Sequence, residues 1–275
     1  MQNNRKLLFF DIDKTLLTPY PWAVPASARI ALKKAHDNGH LLFVNSGRTY
    51  AMIPEIIRKI GFDGYVCGCG SQIYMNGELL FSSSIPNSLC REIIEILRNC
   101  KIPAFFERPD KILYDNGSCS LPGAIQNLKT EVEVEDLSLY TSEIYHSFTF
   151  DKFLAFPAAD SDTDTFRKFV DEHFLCFIHD DKAWELTQKN CSKATGIRFL
   201  ADRLGVSIKD TFAFGDSTND LPMLQFAGNS IAMGDSDPLI LPHCTYQTTN
   251  IEDNGIANAV NRIFAIRFRY LLITK

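Results

Sequence analysis

Four short polar clusters hold the residues best suited to chemistry. The first is Asp11-Ile12-Asp13-Lys14-Thr15-Leu16, directly after the apolar run 6–10, KLLFF. Side chains two apart on an extended strand point the same way, so Asp11 and Asp13 project together past the strand's carboxyl end. Ligands bind at that edge in open α/β sheets. Two carboxylates so close repel each other unless a cation or a shared proton relieves them. Mg2+, hard and oxygen-seeking, is the natural relief. Taken alone, D-x-D also fits a strand ending in a solvated acidic turn.

The second cluster, Asn45-Ser46-Gly47-Arg48-Thr49, follows the apolar run 41–44. Ser46 can donate a hydroxyl hydrogen bond, Gly47 lets the backbone approach a ligand, and a following helix offers free N–H groups to an anion. An ordinary Ser/Thr helix cap fits as well. The third, Gly215-Asp216-Ser217-Thr218-Asn219-Asp220, follows the run TFAF and supplies a second group of oxygen ligands. Pro222 suits a first helical turn, so Asn219 or Asp220 also fits as a cap. Capping leaves Asp216 unexplained. The fourth is Lys193, in the first turn of a helix closed by Gly205. A lysine there opposes the helix dipole unless an anion lies nearby. A solvated lysine is the plain alternative, and Lys189 is its local competitor.

The elements that must position these groups are readable from apolar spacing. Residues 6–10 and 41–44 are short non-alternating runs, which suit strands buried on both faces. Helical spacing runs from Pro25 and Ser27 to Gly39, and again from Met52 to Ile60 before Gly61. The stretch QIYM-NG-ELLF at 72–81 is a hairpin with a type I′ turn. The middle of the chain has α+β character: a helical segment at 93–97, two short strands within 103–114, a strand over 146–156, a helix over 164–173, and paired strands at 174–179 and 183–187. Alternation resumes with helix 192–204, strand 211–214, helix 220–227 and strand 229–232. The expected architecture is a doubly wound parallel-sheet core, residues 1–83 and 188–275, with an α+β cap domain inserted at 84–187.

Composition limits the function classes. The chain has 275 residues, 45% hydrophobic and 22% charged, with net charge -5. Apolar content on that scale forms a packed globular interior, and the acidic balance argues against general nucleic-acid binding. No apolar stretch is long enough for a membrane span. The N-terminal run is cut off by Asp11 and Asp13 before it can form a signal peptide's core. A cytoplasmic protein is expected, monomeric or weakly homo-oligomeric, with its eight cysteines as free thiols. No cluster has zinc-ligand spacing. Asp160, Asp162 and Asp164 alternate like the start of a calcium loop, but Thr165 replaces the turn glycine, so a helix cap is expected. The tail 266–275 reads as a packed terminal segment.

In the order D-x-D-x-T, then Ser after a strand, then Lys, then GD-x-x-ND, the clusters are specific. The chain resembles the haloacid dehalogenase superfamily of phosphatases, and most closely the Cof-type subfamily with an α/β cap between the second and third motifs. The phrases LLFFDIDKTLL, LLFVNSGRT, ELTQKNCSKATGI and FAFGDSTNDLPML carry the likeness. The resemblance implies Asp11 as nucleophile, forming an aspartyl-phosphate. It implies Asp13 as the acid that protonates the leaving oxygen and then activates water. Thr15 would brace the loop, Ser46 and the Gly47 N–H would hold phosphoryl oxygens, and Lys193 would neutralise them. Mg2+ would sit on Asp11, the Asp13 carbonyl and Asp216, with Asn219 and Asp220 in support. Arg48 is a candidate substrate contact.

The implied substrate is a small phosphorylated metabolite, a sugar phosphate first among them. A phosphomutase, or a non-catalytic sugar-phosphate sensor, are the alternatives. The latter would be marked by loss of Asp11 or Asp13, and both are present. Three positions depart from the family pattern: Lys14, where many relatives carry glycine or methionine; Cys69-Gly70-Ser71, in place of N-G-A; and Asn190, in place of glycine. Asp13-Lys14-Thr15 also resembles the phosphorylation motif of P-type ion pumps, but Leu16 replaces the required glycine and no spans accompany it.

Overall fold

A computed structural model describes residues 5–115, 134–137, 148–179 and 182–271, with side chains through 264. Along the chain the strands are β1 (Leu7–Phe10), β2 (Leu41–Asn45), β3 (Gly64–Cys67), β4 (Gln72–Met75), β5 (Glu78–Ser82), β6 (Ala104–Glu107), β7 (Ile112–Tyr114), β8 (Val134–Asp136), β9 (Lys152–Ala155), β10 (Phe174–Ile178), β11 (Trp184–Gln188), β12 (Thr211–Gly215), β13 (Asn229–Ala232) and β14 (Tyr246–Gln247). The helices are α1 (Ala26–Asp37), α2 (Glu55–Arg58), α3 (Asn87–Asn99), α4 (Thr163–His173), α5 (Lys193–Leu204), α6 (Leu221–Phe226) and α7 (Gly255–Leu271).

The chain forms two compact units. One comprises Met1–Gly47, Ile53–Leu80 and Ser192–Lys275; the other comprises Arg48–Met52 and Phe81–Cys191. In the first, the described strands lie in the order β14-β13-β12-β1-β2-β3-β4-β5. From β14 to β3 the neighbours are parallel, and β4 returns antiparallel to β3. All four residues of β1 are fully buried, as expected of a strand covered on both faces. Phe9 stacks on Phe43 and Phe10 on Phe214 across neighbouring strands, pairs that favour this register beyond simple burial. Helix α1 buries Ala28, Ala31, Leu32 and Ala35, a stripe at helical spacing, and packs against α7.

Local sequence explains where elements begin and stop. Ser192 and Thr195 form a reciprocal capping box at the start of α5, and Gly205 closes that helix with a φ of 64°. Asp162 caps α4 by accepting from the Thr165 N–H at 3.0 Å, so the 160–164 aspartates begin a helix. The helix expected over 52–60 is only one turn, α2. Pro54 sits at its N-terminal boundary in an extended conformation and holds the preceding residues out of the helix. The strand expected over 146–156 is confined to β9; residues 146 and 147 lie outside the described residues. Helix α7 had no counterpart in the sequence reading, and the side chains of the 266–275 tail lie outside the described residues. The described cysteines are free thiols, and no described helix is long and apolar enough to cross a membrane.

In the second unit the described strands run β10-β11-β9-β6-β7-β8, antiparallel except for β7 and β8. Strand alternation divides their residues between two faces. Phe106, Phe153 and Leu186 share a face and pack with Ile93, Ile94 and Leu97 of α3 and Phe166 and Val170 of α4. Glu107 and Lys152 are register partners on the other face. There the Lys152 ammonium meets Glu107 at 3.4 Å and also donates to Glu185. The Thr49 hydroxyl donates to Glu107 at 3.1 Å, and His179 bonds Glu185 at 2.9 Å. Lys152, Glu107 and Glu185 are all buried. Removing the lysine would strand two buried carboxylates, a more costly change than losing a surface pair. Lys152→Met is therefore expected to lower the unfolding free energy by about 3–5 kcal/mol. Urea denaturation measures this, and a loss under about 1 kcal/mol, the range of a solvated pair, would contradict it.

Candidate active site

Strands β12, β1 and β2 are adjacent and parallel, and their carboxyl ends deliver the three acidic and polar clusters to one edge. Asp11 is the first residue beyond β1, and its N–H extends the ladder to the Phe214 carbonyl at 3.0 Å. The chain then turns tightly. Leu16 and Leu17 donate to the Ile12 carbonyl at 2.9 and 2.8 Å, and Lys14 donates to Leu17 at 2.9 Å. Ile12 and Leu16 are fully buried and anchor the loop. Lys14 takes a φ of 58°, the left-handed region. Thr15 points inward, and its hydroxyl donates to Asp216 Oδ1 at 3.1 Å, which ties the loop to the end of β12. Asp13 is exposed and close enough to Asp11 for its charge to act there.

Lys193 enters from α5 and is 1% exposed. Its ammonium donates to Asp11 Oδ1 at 2.6 Å and to Asp220 Oδ1 at 2.5 Å. These carboxylates are the anions that a lysine in a first helical turn requires. The other oxygen of Asp220 accepts from the N–H groups of Asp216, at 2.9 Å, and Ser217, at 3.2 Å. Both Asp220 oxygens are thereby occupied, so this residue orients Lys193 and the Asp216 backbone. Its close approach requires Gly215: a Cβ there would lie 2.6 Å from the Asp220 carboxyl carbon.

Asp11, Asp216 and Asp220 each offer an oxygen within 4.8 Å of the others. The second oxygens of Asp11 and Asp216 carry no hydrogen bond from the described residues. This donor set suits a hard cation.

The electrostatics are unbalanced. Burial pushes the Asp11 carboxyl well above the usual range; Lys193 pulls it down, while Asp220, Asp216 and Asp13 push it further up. Burial, then the Asp220 charge, pushes Asp216 up to about 7 against the opposing pull of Thr15 and Lys193. Burial disfavours the Lys193 charge as well, but Asp11 and Asp220 outweigh it and hold the ammonium well above its ordinary value. One lysine leaves the carboxylates with excess negative charge, so a further cation would stabilise the cluster.

The remaining sequence candidates are placed as follows. Ser46 is buried beyond β2, with its N–H on the Val66 carbonyl at 2.9 Å and its carbonyl accepting from Cys69 at 3.1 Å. Gly47 follows it, half-buried. Asn219 accepts from the Ser217 hydroxyl at 2.8 Å. Arg48 belongs to the second unit, where it donates to the Met52 carbonyl at 3.4 Å.

Two supporting residues escaped the sequence reading. Asn45 donates its side-chain amide to the Lys193 carbonyl at 2.9 Å, which joins the end of β2 to the start of α5. Gly70 lies so near α5 that a Cβ would come within 2.3 Å of the Ser192 carbonyl oxygen. Both lie inside quoted motifs, but nothing in their spacing points to α5.

Residues 8–260 match the haloacid dehalogenase-like hydrolase family. The chain is 28% identical to YkrA, a candidate phosphatase of Bacillus subtilis (strain 168), over 94% of this chain and 97% of that protein. It is 26% identical to the HMP-PP phosphatase of Cronobacter sakazakii, over 85% of this chain and 87% of that one. The fold superposes on the solved HAD subclass IIB sugar phosphatase BT4131 with a TM-score of 0.79 and 22% identity, covering 94% of this chain and 98% of the other.

The raised Asp216 carboxyl makes stability depend on pH. Its unfolded value is near that of a free aspartate, about 3.9. Between there and about 7 the folded, metal-free protein keeps a proton that the unfolded chain has released. The contribution of this group is therefore full below about pH 4 and is lost as pH rises through about 7. Asp216→Asn removes the penalty. In EDTA, its stability relative to the parent chain should rise from pH 5 to pH 8 by roughly 1–3 kcal/mol. Urea midpoints across that range test this, and a difference that stays flat would refute it.

Proposed function

The chain belongs to the haloacid dehalogenase-like hydrolase family and is a phosphatase of its Cof-type branch, and we propose that it hydrolyses a small phosphorylated metabolite, with Mg2+, through an aspartyl-phosphate on Asp11. The observation that carries this reading is the Asp11 carboxylate: one oxygen clamped by Lys193 and the other without a hydrogen bond from the described residues, at the carboxyl edge of a buried parallel strand.

In the first step the open Asp11 oxygen attacks phosphorus as the ester P–O bond breaks. Asp13, exposed beside it, gives its proton to the departing oxygen. In the second step water attacks the acyl phosphate, Asp13 takes a proton from that water, and inorganic phosphate leaves with Asp11 restored. Ser46 and the Gly47 N–H orient the phosphoryl oxygens. Lys193 neutralises their charge, and Asn219 holds the adjoining loop. Positioning and charge neutralisation are most of what phosphoryl transfer asks of a protein.

Asp11, the Asp13 carbonyl and Asp216 would hold Mg2+, with Asp220 in support, and the ion would supply charge neutralisation and alignment of phosphate with nucleophile. The domain assignment proposed with this mechanism is a core of 1–83 and 188–275 and an inserted domain of 84–187. Sugar phosphates are the proposed substrates, on the Cof-type likeness. The HMP-PP phosphatase relative adds HMP-PP to the substrates to be tried.

Hydrolysis of p-nitrophenyl phosphate tests the proposal. Asp11→Asn is expected to lower kcat by about a thousandfold or more, and EDTA should abolish turnover until Mg2+ is restored. Equal rates for the two proteins would remove Asp11 as nucleophile.

A further inference from the structure

Lys14 is held by its loop in a costly way. Its φ of 58° is one that glycine adopts freely and a side-chain-bearing residue resists. The loop leaves little choice, being fixed by the Ile12 carbonyl bonds, the Lys14-to-Leu17 bond and the buried Ile12 and Leu16. A lysine at such a position carries a strain that glycine would remove, and strain of this kind collects at functional sites.

The Lys14 side chain is exposed and makes no ion pair or hydrogen bond among the described residues. The carboxylates around it already have partners. Asp11 and Asp220 hold Lys193, and Asp216 holds the Thr15 hydroxyl. Yet Lys14 stands between Asp13 and Thr15, and its charge reaches Asp216. The edge therefore presents two cations with different commitments. Lys193 is buried and bound to the catalytic aspartate, whereas Lys14 stands in solvent three residues further along the same loop, and among the described residues its charge is felt only at Asp216, the last of the charges acting there.

We propose that Lys14 is a specificity-determining residue that binds a second anionic group on the substrate, a carboxylate or another phosphate, so that this chain selects phosphate esters carrying one. This rests on the phosphatase reading and narrows its substrate class. A phosphoryl group alone is served by Lys193. A second anion needs a cation of its own, and Lys14 supplies it from the loop that also carries the nucleophile.

The test uses the full chain and two non-hydrolysable probes of similar size: methylphosphonate, with one anionic group, and phosphonoacetate, with two. Each is measured as a competitive inhibitor of p-nitrophenyl phosphate hydrolysis for the parent chain, Lys14→Gly and Lys14→Arg. Glycine suits the backbone, so Lys14→Gly should fold with an equal or higher Tm.

The parent chain should bind phosphonoacetate more tightly than methylphosphonate. Lys14→Gly should lose about three- to fivefold of that preference, the scale of an exposed charge pair, and Lys14→Arg should keep most of it. Equal inhibition constants in the parent chain, or a change in Lys14→Gly that is the same for both probes, would overturn the proposal. Should the parent chain fail to hydrolyse the aryl ester, the phosphatase reading falls on its own. Calorimetric titration of the same probes then still decides the role of Lys14.

Discussion

A lysine ammonium buried as deeply as Lys193 stays charged only among carboxylates, and this requirement organises the first unit. Asp11 and Asp220 approach it from different strand ends, so β1 and β12 must be neighbours in the sheet. Gly215 must lack a side chain for Asp220 to reach inward. The Asn45 amide must catch the Lys193 carbonyl for α5 to start where it does. Each of these close approaches follows from putting one charge out of reach of water, since an unpaired buried ion costs far more than any of them.

The two units bury charge to different ends. Around Lys152 the network is closed: two glutamates, a lysine, a histidine and a threonine hydroxyl answer one another. Burial alone would raise the Glu185 carboxyl, yet Lys152 and His179 hold it far below the ordinary range. Around Lys193 the network is open. Burial and like charge win at Asp11 and Asp216, and both carboxyls move up. A closed network stiffens a sheet, whereas an open one holds energy that an incoming cation or proton can release. The direction of these shifts is the physical mark that separates a scaffold from a candidate active site.

Much of this was legible in the sequence because it is local. Apolar runs of four or five residues marked β1, β2 and β12, and the polar cluster after each run marked the edge where chemistry would sit. Capping residues located α4 and α5 to within a residue. What escaped has two causes. Pro54 shortened the helix expected over 52–60, because spacing alone did not weigh what proline does to the residue before it. The links Asn45 to Lys193, Gly70 to Ser192 and Glu107 to Lys152 join residues far apart in the chain, and each depends on register that no local pattern encodes. Lys14 was visible as a departure from relatives, but its left-handed backbone was not.

The ion pair between Asp11 and Lys193 spans 182 residues of chain. At a synthesis rate of about 5–20 residues per second, that separation amounts to roughly 10–35 s on the ribosome. Throughout that interval Asp11 and Asp13 exist without the cation that later holds one of them. The segment after β12 that carries Asp216 and Asp220 emerges later still. The site thus cannot be completed until residue 220 has emerged, and a nascent chain halted before α5 would expose an acidic edge with no lysine to answer it.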